Sequence, residues 1–197
     1  MKSTTLFIVR HGQTDWNIIG KIQGHIDIPL NDTGIEQAQL VASFLKNKNV
    51  PFKALYSSDL QRAHQTAHPI SKIFSLNIIT MPHLRERHMG ILEGLTKPQV
   101  HELHGKHWEN DFDTVPGGET KTEFLRRLTN QITLIAQNHI DESIVIVTHG
   151  HAIRQFLAYA GYDKDQWPPI TNATIITVKY HHADEPQIEL ISVECAE

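Results

Sequence analysis

The 197-residue sequence predicts an α/β fold, a three-layer α/β/α sandwich around a mostly parallel sheet, and three observations carry that expectation. Short apolar runs alternate with longer stretches of helical periodicity, the order that strand–helix–strand units leave in a chain. The first and the last-but-two of those runs are continuous rather than alternating, as in strands buried on both faces. Hydrophobic residues make up 40% and charged residues 20%, ordinary globular usage without repeat, low-complexity tract or linker, so a single domain over 1–197 is expected.

Leu6 to Val9 is the first apolar run, and it stops at Arg10-His11-Gly12 as a buried strand does on meeting a loop. Polar residues follow through Asn17 to Gln23-Gly24. Thr33-Gly34-Ile35-Glu36 has the capping-box pattern, and Ile35, Ala38, Val41, Ala42 and Leu45 then recur at helical spacing, which predicts the first helix. Ala54 to Tyr56 reads as a brief strand. Beyond Ser57-Ser58-Asp59, the positions Leu60, Ala63, Ala67, Ile70 and Phe74 trace one helix face, which Pro69 is expected to kink or interrupt.

Ile78 to Met81 is a further strand, followed by a loop from His83 to Gly94 dense in Arg, Glu and His. Thr120 to Glu123 is a second capping box, opening a helix whose stripe is Phe124, Leu128, Ile132 and Ile135. Ile144 to Val147 is a continuous apolar strand running into Thr148-His149-Gly150. A helix from Ala152 to Ala160 and strands at Thr174 to Val178 and Ile188 to Val193 complete the order.

The net charge of −4 with histidines neutral gives no excess of cations for a polyanion, so nucleic acid is not the expected partner. A small anionic substrate is compatible, because a few convergent Arg and His residues make a local positive pocket. Cys195 is the only cysteine, which excludes an intrachain disulfide and a thiolate zinc site and fits a reducing cytoplasm. The apolar run before Arg10 is too short for a signal peptide, and no stretch approaches membrane-spanning length. Whether the chain forms homo-oligomers is not written in the sequence.

Ligands of open α/β sheets bind beyond the carboxyl ends of the strands, and here two strands end in histidine-bearing loops. Taken singly, His11 is a loop histidine. Its neighbour changes that, since Arg10 offers a planar fork of donors to phosphate oxygens and disfavours protonation of the adjacent imidazole. A neutral imidazole is a nucleophile.

The stretch Leu6-Phe7-Ile8-Val9-Arg10-His11-Gly12-Gln13-Thr14-Asp15-Trp16-Asn17 resembles the signature of the histidine phosphatase superfamily, the phosphoglycerate mutase-like family. In that family the histidine of the Arg-His-Gly triplet becomes phosphorylated. Ser57-Ser58-Asp59-Leu60-Gln61-Arg62-Ala63 with Thr66-Ala67 is similar to its second motif. Leu84-Arg85-Glu86-Arg87-His88-Met89-Gly90 with Glu93-Gly94 is similar to the third, and Thr148-His149-Gly150 to the last. These motifs stand in the family's order and cover nearly the whole chain.

The resemblance implies a phosphoglycerate mutase-like fold, His11 as nucleophile and Glu86 as proton donor. Phosphate is a dianion whose oxygens must be held while phosphorus is attacked in line, and Arg10, Arg62 and His149 are the candidates to hold them. Asn17, Gln23 and Gly24, with Thr14 and Gly150, match or adjoin positions of the phosphate pocket. The poor alkoxide leaving group needs an acid, which Glu86 supplies. No metal and no cofactor is implied.

Other signals carry less. His101, His104 and His107 recur every third residue, but the HExxH pattern is absent and a solvated histidine face is the simpler account. Pro116-Gly117-Gly118-Glu119 is no Walker loop, because no lysine follows the glycines; it resembles a segment common in this family, with the start of a helix as its plain reading. Asp111 to Val115 lacks the preceding strand of an aspartate-based phosphatase.

The third motif, with Arg87, His88 and Lys97, resembles the cofactor-dependent phosphoglycerate mutases. Met89, however, stands where they carry a tyrosine, and residues 109–115 lack their paired arginines. A mutase must keep water from phosphohistidine, whereas a phosphatase admits it. Hydrolysis of a small phosphorylated metabolite is therefore expected. Substrate choice is assigned to the loops from His83 to His107 and Trp108 to Glu119, with sugar phosphates, phosphoglycerates and α-ribazole phosphate all open. A non-catalytic phosphate-binding or interaction module is the alternative of another class, and the intact His11 and Glu86 speak against it.

Overall fold

Successive side chains of a strand point to opposite faces. In β1 (Ser3–Arg10), Leu6 and Ile8 therefore face one way and Phe7 and Val9 the other, and all four are buried. A strand buried on both sides needs helices on both sides. The computed structural model describes residues 2–105, 115–163, 168–184 and 187–196, and it supplies them.

Five further strands join β1: β2 (Phe52–Ser57), β3 (Ile78–Thr80), β4 (Ser143–Thr148), β5 (Thr174–His181) and β6 (Gln187–Cys195). They form one sheet in the order β3-β2-β4-β1-β5-β6. The strands β3, β2, β4 and β1 run parallel, whereas β5 is antiparallel to β1 and β6 to β5.

Helices α2 (Asp32–Asn47) and α3 (Gln61–Phe74) cover one face, where Val41, Ala42, Leu45, Ala63, Ala67 and Ile70 pack with Phe7, Val9, Val145 and Val147. The other face carries α5 (Lys121–Gln137) and α6 (Gly150–Tyr159), through Phe124, Leu128, Ile132, Ile153 and Phe156 against Leu6, Ile8, Ile144 and Ile146. This is the α/β/α sandwich with a mostly parallel sheet that the sequence predicts. Two short helices, α1 (Asp15–Ile18) and α4 (Lys97–His104), lie in the connections.

Two local expectations are corrected. The first long helix starts at Asn31 and not at the Thr33 box: Asn31 accepts from the Gly34 N–H at 2.9 Å. Asparagine is the stronger N-cap residue, and Asn31 is itself anchored by its N–H to the Gln13 carbonyl at 3.0 Å, so it takes precedence over Thr33. Ile35 of the expected stripe is consequently 45% exposed while Ala38, Val41, Ala42 and Leu45 are buried. Pro69 does not interrupt α3, which continues to Phe74; the carbonyl that proline leaves without a donor belongs to the exposed Gln65, where water can serve it. The loop expected from His83 to Gly94 is without α-helix or strand, with one 3-10 turn, Pro82–Leu84, at its start and a second, Gly90–Leu92, whose Leu92 packs with Val100 and Val115 in a small core.

The capping box at Thr120 forms with both of its bonds, Glu123 N–H to Thr120 Oγ1 at 3.0 Å and Thr120 N–H to Glu123 Oε2 at 2.9 Å. Among the described residues no helix is long and apolar enough to cross a membrane. The chain leaves β1 toward α2 on one face and leaves β4 toward α6 on the other. The adjacent carboxyl ends of β1 and β4 therefore open a crevice where the connections diverge.

Candidate active site

Arg10 and Thr148 are register partners at the ends of β1 and β4, and the His11 N–H prolongs that ladder to the Thr148 carbonyl at 3.0 Å. The two strand ends thus carry His11 and His149 into contact, ring centroids 5.2 Å apart. Arg62 enters from the first turn of α3. Residues distant in sequence meet because the parallel sheet aligns the ends of its strands.

The tautomers follow from the partners. His11 Nδ1 lies 2.7 Å from the Gly12 carbonyl, which can only accept, so the proton sits on Nδ1 and Nε2 keeps a bare lone pair. His149 is the reverse: Arg62 Nε–H donates to its Nδ1 at 3.3 Å, leaving Nε2–H to donate to Ser58 Oγ at 2.9 Å. Burial holds both imidazoles well below the usual histidine range, and the Arg62 charge adds to it.

Arg62 is 1% exposed. Its Nη1 donates to the Ile26 carbonyl at 2.9 Å and its Nη2 to the Gly24 carbonyl at 2.8 Å. A guanidinium has five N–H donors, so two remain for an anion. Arg10 Nη1 donates to the Ile170 carbonyl at 2.6 Å, and its buried Nε has no partner. Burial lowers each arginine to about 10, which leaves both charged at neutral pH.

Glu86 faces this group from the loop after β3. Its carboxylate accepts the N–H of Arg87 at 3.1 Å and that of His151, in the first turn of α6, at 3.0 Å. Its negative charge acts on both Arg10 and Arg62. The structure thus brings His11, Arg10, Arg62, His149 and Glu86 into one electrostatic neighbourhood.

The remaining candidates divide. Thr14 caps α1, its N–H and hydroxyl both donating to Asn17 Oδ1 at 3.0 and 3.1 Å, so its hydroxyl is engaged there. Asn17 therefore keeps its Nδ2 donors for other partners. The side chain of Gln23 is buried and its Oε1 has no partner. Gly24 has φ +47°, and a Cβ there would strike the Glu93 carboxylate. At Gly150 a Cβ would lie 3.0 Å from Arg10 Nε, so the glycine makes room for that guanidinium.

Sequence reasoning missed three participants. Asn172 Nδ2 donates to the His11 carbonyl (3.0 Å), the Gly12 carbonyl (3.1 Å) and Asn17 Oδ1 (3.2 Å), tying the nucleophile loop to the start of β5. Nothing marks a lone Asn in a loop as special. Arg127 and Glu119 hold the backbone around Glu86; an arginine on the polar side of an amphipathic helix gives no such signal either.

His101 and His104 lie on α4, while His107, the span 108–114 and with them the Asp111 motif fall outside the described residues. Among the described residues, no group of three or more His, Cys, Asp or Glu is arranged to hold a metal ion.

The chain as a whole has counterparts among known proteins. Residues 6–193 match the histidine phosphatase superfamily (branch 1), and the chain belongs to that family. Among its relatives is phosphoglycerate mutase-like protein 4 of Arabidopsis thaliana, 35% identical over 192 residues that cover 94% of this chain and 83% of that protein. A metal-independent phosphoserine phosphatase of the same plant is 38% identical over 158 residues, 77% of this chain and 66% of that one. The native structure of a mycobacterial glucosyl-3-phosphoglycerate phosphatase superposes with a TM-score of 0.81 at 26% identity, covering 95% and 97% of the two chains.

Proposed function

We propose that this chain hydrolyses a phosphomonoester of a small metabolite through a phosphohistidine on His11, with Glu86 as proton donor. The observation that carries the proposal is the state of His11: neutral, its Nδ1–H committed to Gly12, its bare Nε2 beside two buried guanidinium groups.

The phosphate dianion binds beside the Glu86 carboxylate, which takes up a proton from solvent. The Nε2 lone pair then attacks phosphorus as the bond from phosphorus to the ester oxygen breaks, and that proton passes from Glu86 to the departing oxygen, releasing the alcohol. Arg10 Nε, the two spare N–H groups of Arg62, Asn17 Nδ2 and the Gln23 amide take the phosphoryl oxygens, which compete with Ser58 for His149 Nε2–H. Water then attacks phosphohistidine while the Glu86 carboxylate takes its proton. The phosphorus–nitrogen bond breaks, its electron pair returns to Nε2, and inorganic phosphate leaves. Gly24 and Gly150 admit the Glu93 and Arg10 side chains, and Thr14 orients Asn17. Relatives named as phosphatases support hydrolysis, and the relative named as mutase-like keeps a mutase arm in the test.

The test is phosphate release from phosphoserine, phosphoglycerates and sugar phosphates, with and without a chelator, beside His11→Ala. We expect chelator-insensitive turnover that falls by about 10⁴-fold or more in the variant. Turnover that survives His11→Ala would overturn the proposal. Interconversion of phosphoglycerates faster than hydrolysis would assign a mutase, and phosphate binding without any turnover a binding module.

A further inference from the structure

Residues 83–88, which carry Glu86, have no strand partner. The sheet reaches them only through the Thr148 hydroxyl at the end of β4, which donates to the Leu84 carbonyl at 2.7 Å, and the Glu119 N–H donates to the His88 carbonyl at 3.0 Å, so the main chain next to Glu86 itself needs further support. Arg127 supplies it from α5. Its Nη1 donates to the carbonyls of His83 (2.8 Å) and Arg85 (3.1 Å) and its Nη2 to that of Glu86 (3.1 Å). Glu119 in turn seats the guanidinium with two bonds, Nε–H to Oε1 at 2.7 Å and Nη2–H to Oε2 at 2.8 Å.

Glu119 grips the loop as well. Its Oε2 accepts the His88 N–H at 2.9 Å, and its carbonyl accepts Arg87 Nε–H at 3.0 Å and Nη2–H at 2.8 Å. From the far side His25 Nε2–H donates to the Glu86 carbonyl at 2.8 Å. One partly buried ion pair, its side chains 15% and 21% exposed, therefore fixes the main chain on both sides of Glu86. Only a planar guanidinium fork can serve a carboxylate and three carbonyls at once.

We propose that Arg127, seated by Glu119, is a positioning residue for Glu86: it sets the backbone from which the carboxyl group reaches the departing oxygen. The inference rests on the reading of Glu86 as proton donor, and it makes a claim that mere support of the fold does not. A displaced acid harms only esters whose leaving group needs a proton.

The experiment measures kcat/KM, which reports the first transfer, on glycerol phosphate and on dinitrophenyl phosphate, whose phenolate departs unprotonated. Arg127→Gln and Glu119→Gln are compared with Glu86→Gln. All three are expected to lose activity on the alkyl ester, Glu86→Gln by about a hundredfold or more and the other two by about ten- to a hundredfold, with changes within about threefold on the aryl ester. Inhibition by inorganic phosphate should not shift. Should Arg127→Gln not fold, Glu119→Gln carries the test, since it leaves the guanidinium in place but unseats it. Equal losses on both esters, or none, in the Arg127 and Glu119 variants overturn this inference alone. Absence of leaving-group dependence in Glu86→Gln overturns the proton-donor reading and this inference with it.

Discussion

The two walls of the site are held by different means. The inner wall, with His11, Arg62 and His149 exposed by 3%, 1% and 0%, stands on the ends of β1 and β4 and the first turn of α3. There the ladder and two helices fix the backbone, and each side chain bonds to a carbonyl or to another wall residue. The outer wall, from His83 to Glu93, has no ladder. Apart from two backbone bonds, Glu119 N–H to the His88 carbonyl and Ile91 N–H to the Pro116 carbonyl, it is fastened by side chains, those of Arg127, Glu119, His25, Thr148, and Glu93, which accepts the N–H of His25 at 2.9 Å and of Met89 at 2.8 Å. On the reading proposed above, the phosphoryl group common to every substrate meets the sheet-borne wall. The leaving group, which varies, meets a wall whose fastenings can be exchanged one at a time.

Arg62→Lys should break the inner wall alone. An ammonium cannot reach Gly24, Ile26 and His149 together, so kcat/KM should fall by about a hundredfold or more on alkyl and aryl esters alike. Stability should drop by roughly 2–4 kcal/mol from the acceptors left unpaired. Denaturant titration and the two-ester comparison measure both. A loss confined to alkyl esters would mean that the walls do not divide the work in this way.

Asn172 tests whether a side-chain fastening on the inner wall behaves like those of the outer wall. Asn172→Ala removes the donor from His11, Gly12 and Asn17 at once, and kcat should fall about tenfold with the fold intact. Asn172→Asp sets a charged oxygen against three acceptors and should be the more severe. If the aspartate variant is the milder one, the amide does not act through its N–H groups.

The same division decides what was legible in the sequence. Continuous runs such as Ile144 to Val147, each ending in a histidine loop, announce a two-sided sheet, so β1, β4 and the meeting of His11 with His149 follow from pattern alone. Arg62 and Glu86 were reached through motifs quoted by resemblance. The fastenings were not legible: Arg127 looks like an ordinary polar position on an amphipathic helix, Glu119 like the end of a helix-entry segment that resembles one common in the family but has no stated role, and Asn172 like a turn residue. Their meaning lies in which distant carbonyl they face. Pro69 and the Thr33 box misled for the complementary reason, since local propensity there yields to tertiary packing and to a stronger cap two residues earlier.

The smallest effect expected is the most specific to the inner wall. Burial, reinforced by Arg62, holds His11 and His149 well below the ordinary 6.5 when folded, whereas unfolding restores that value. Below pH 6.5 the unfolded chain therefore binds more protons, so unfolding free energy decreases as pH falls, by up to about 1.4 kcal/mol per pH unit for each such histidine. Asp59, Glu119 and Glu194 are lowered carboxylates, and their contribution is lost only below their ordinary 3.8 to 4.5, outside this window. Denaturation followed between about pH 7.5 and 5.5 should show the slope, and His11→Gln should flatten it by close to one proton. His25 on the outer wall is lowered less, being half-buried and hydrogen-bonded to the Glu86 carbonyl, so His25→Gln should flatten the slope less. Equal flattening by the two variants would show that the inner wall does not hold its nucleophile neutral any more firmly than the loop holds an ordinary histidine.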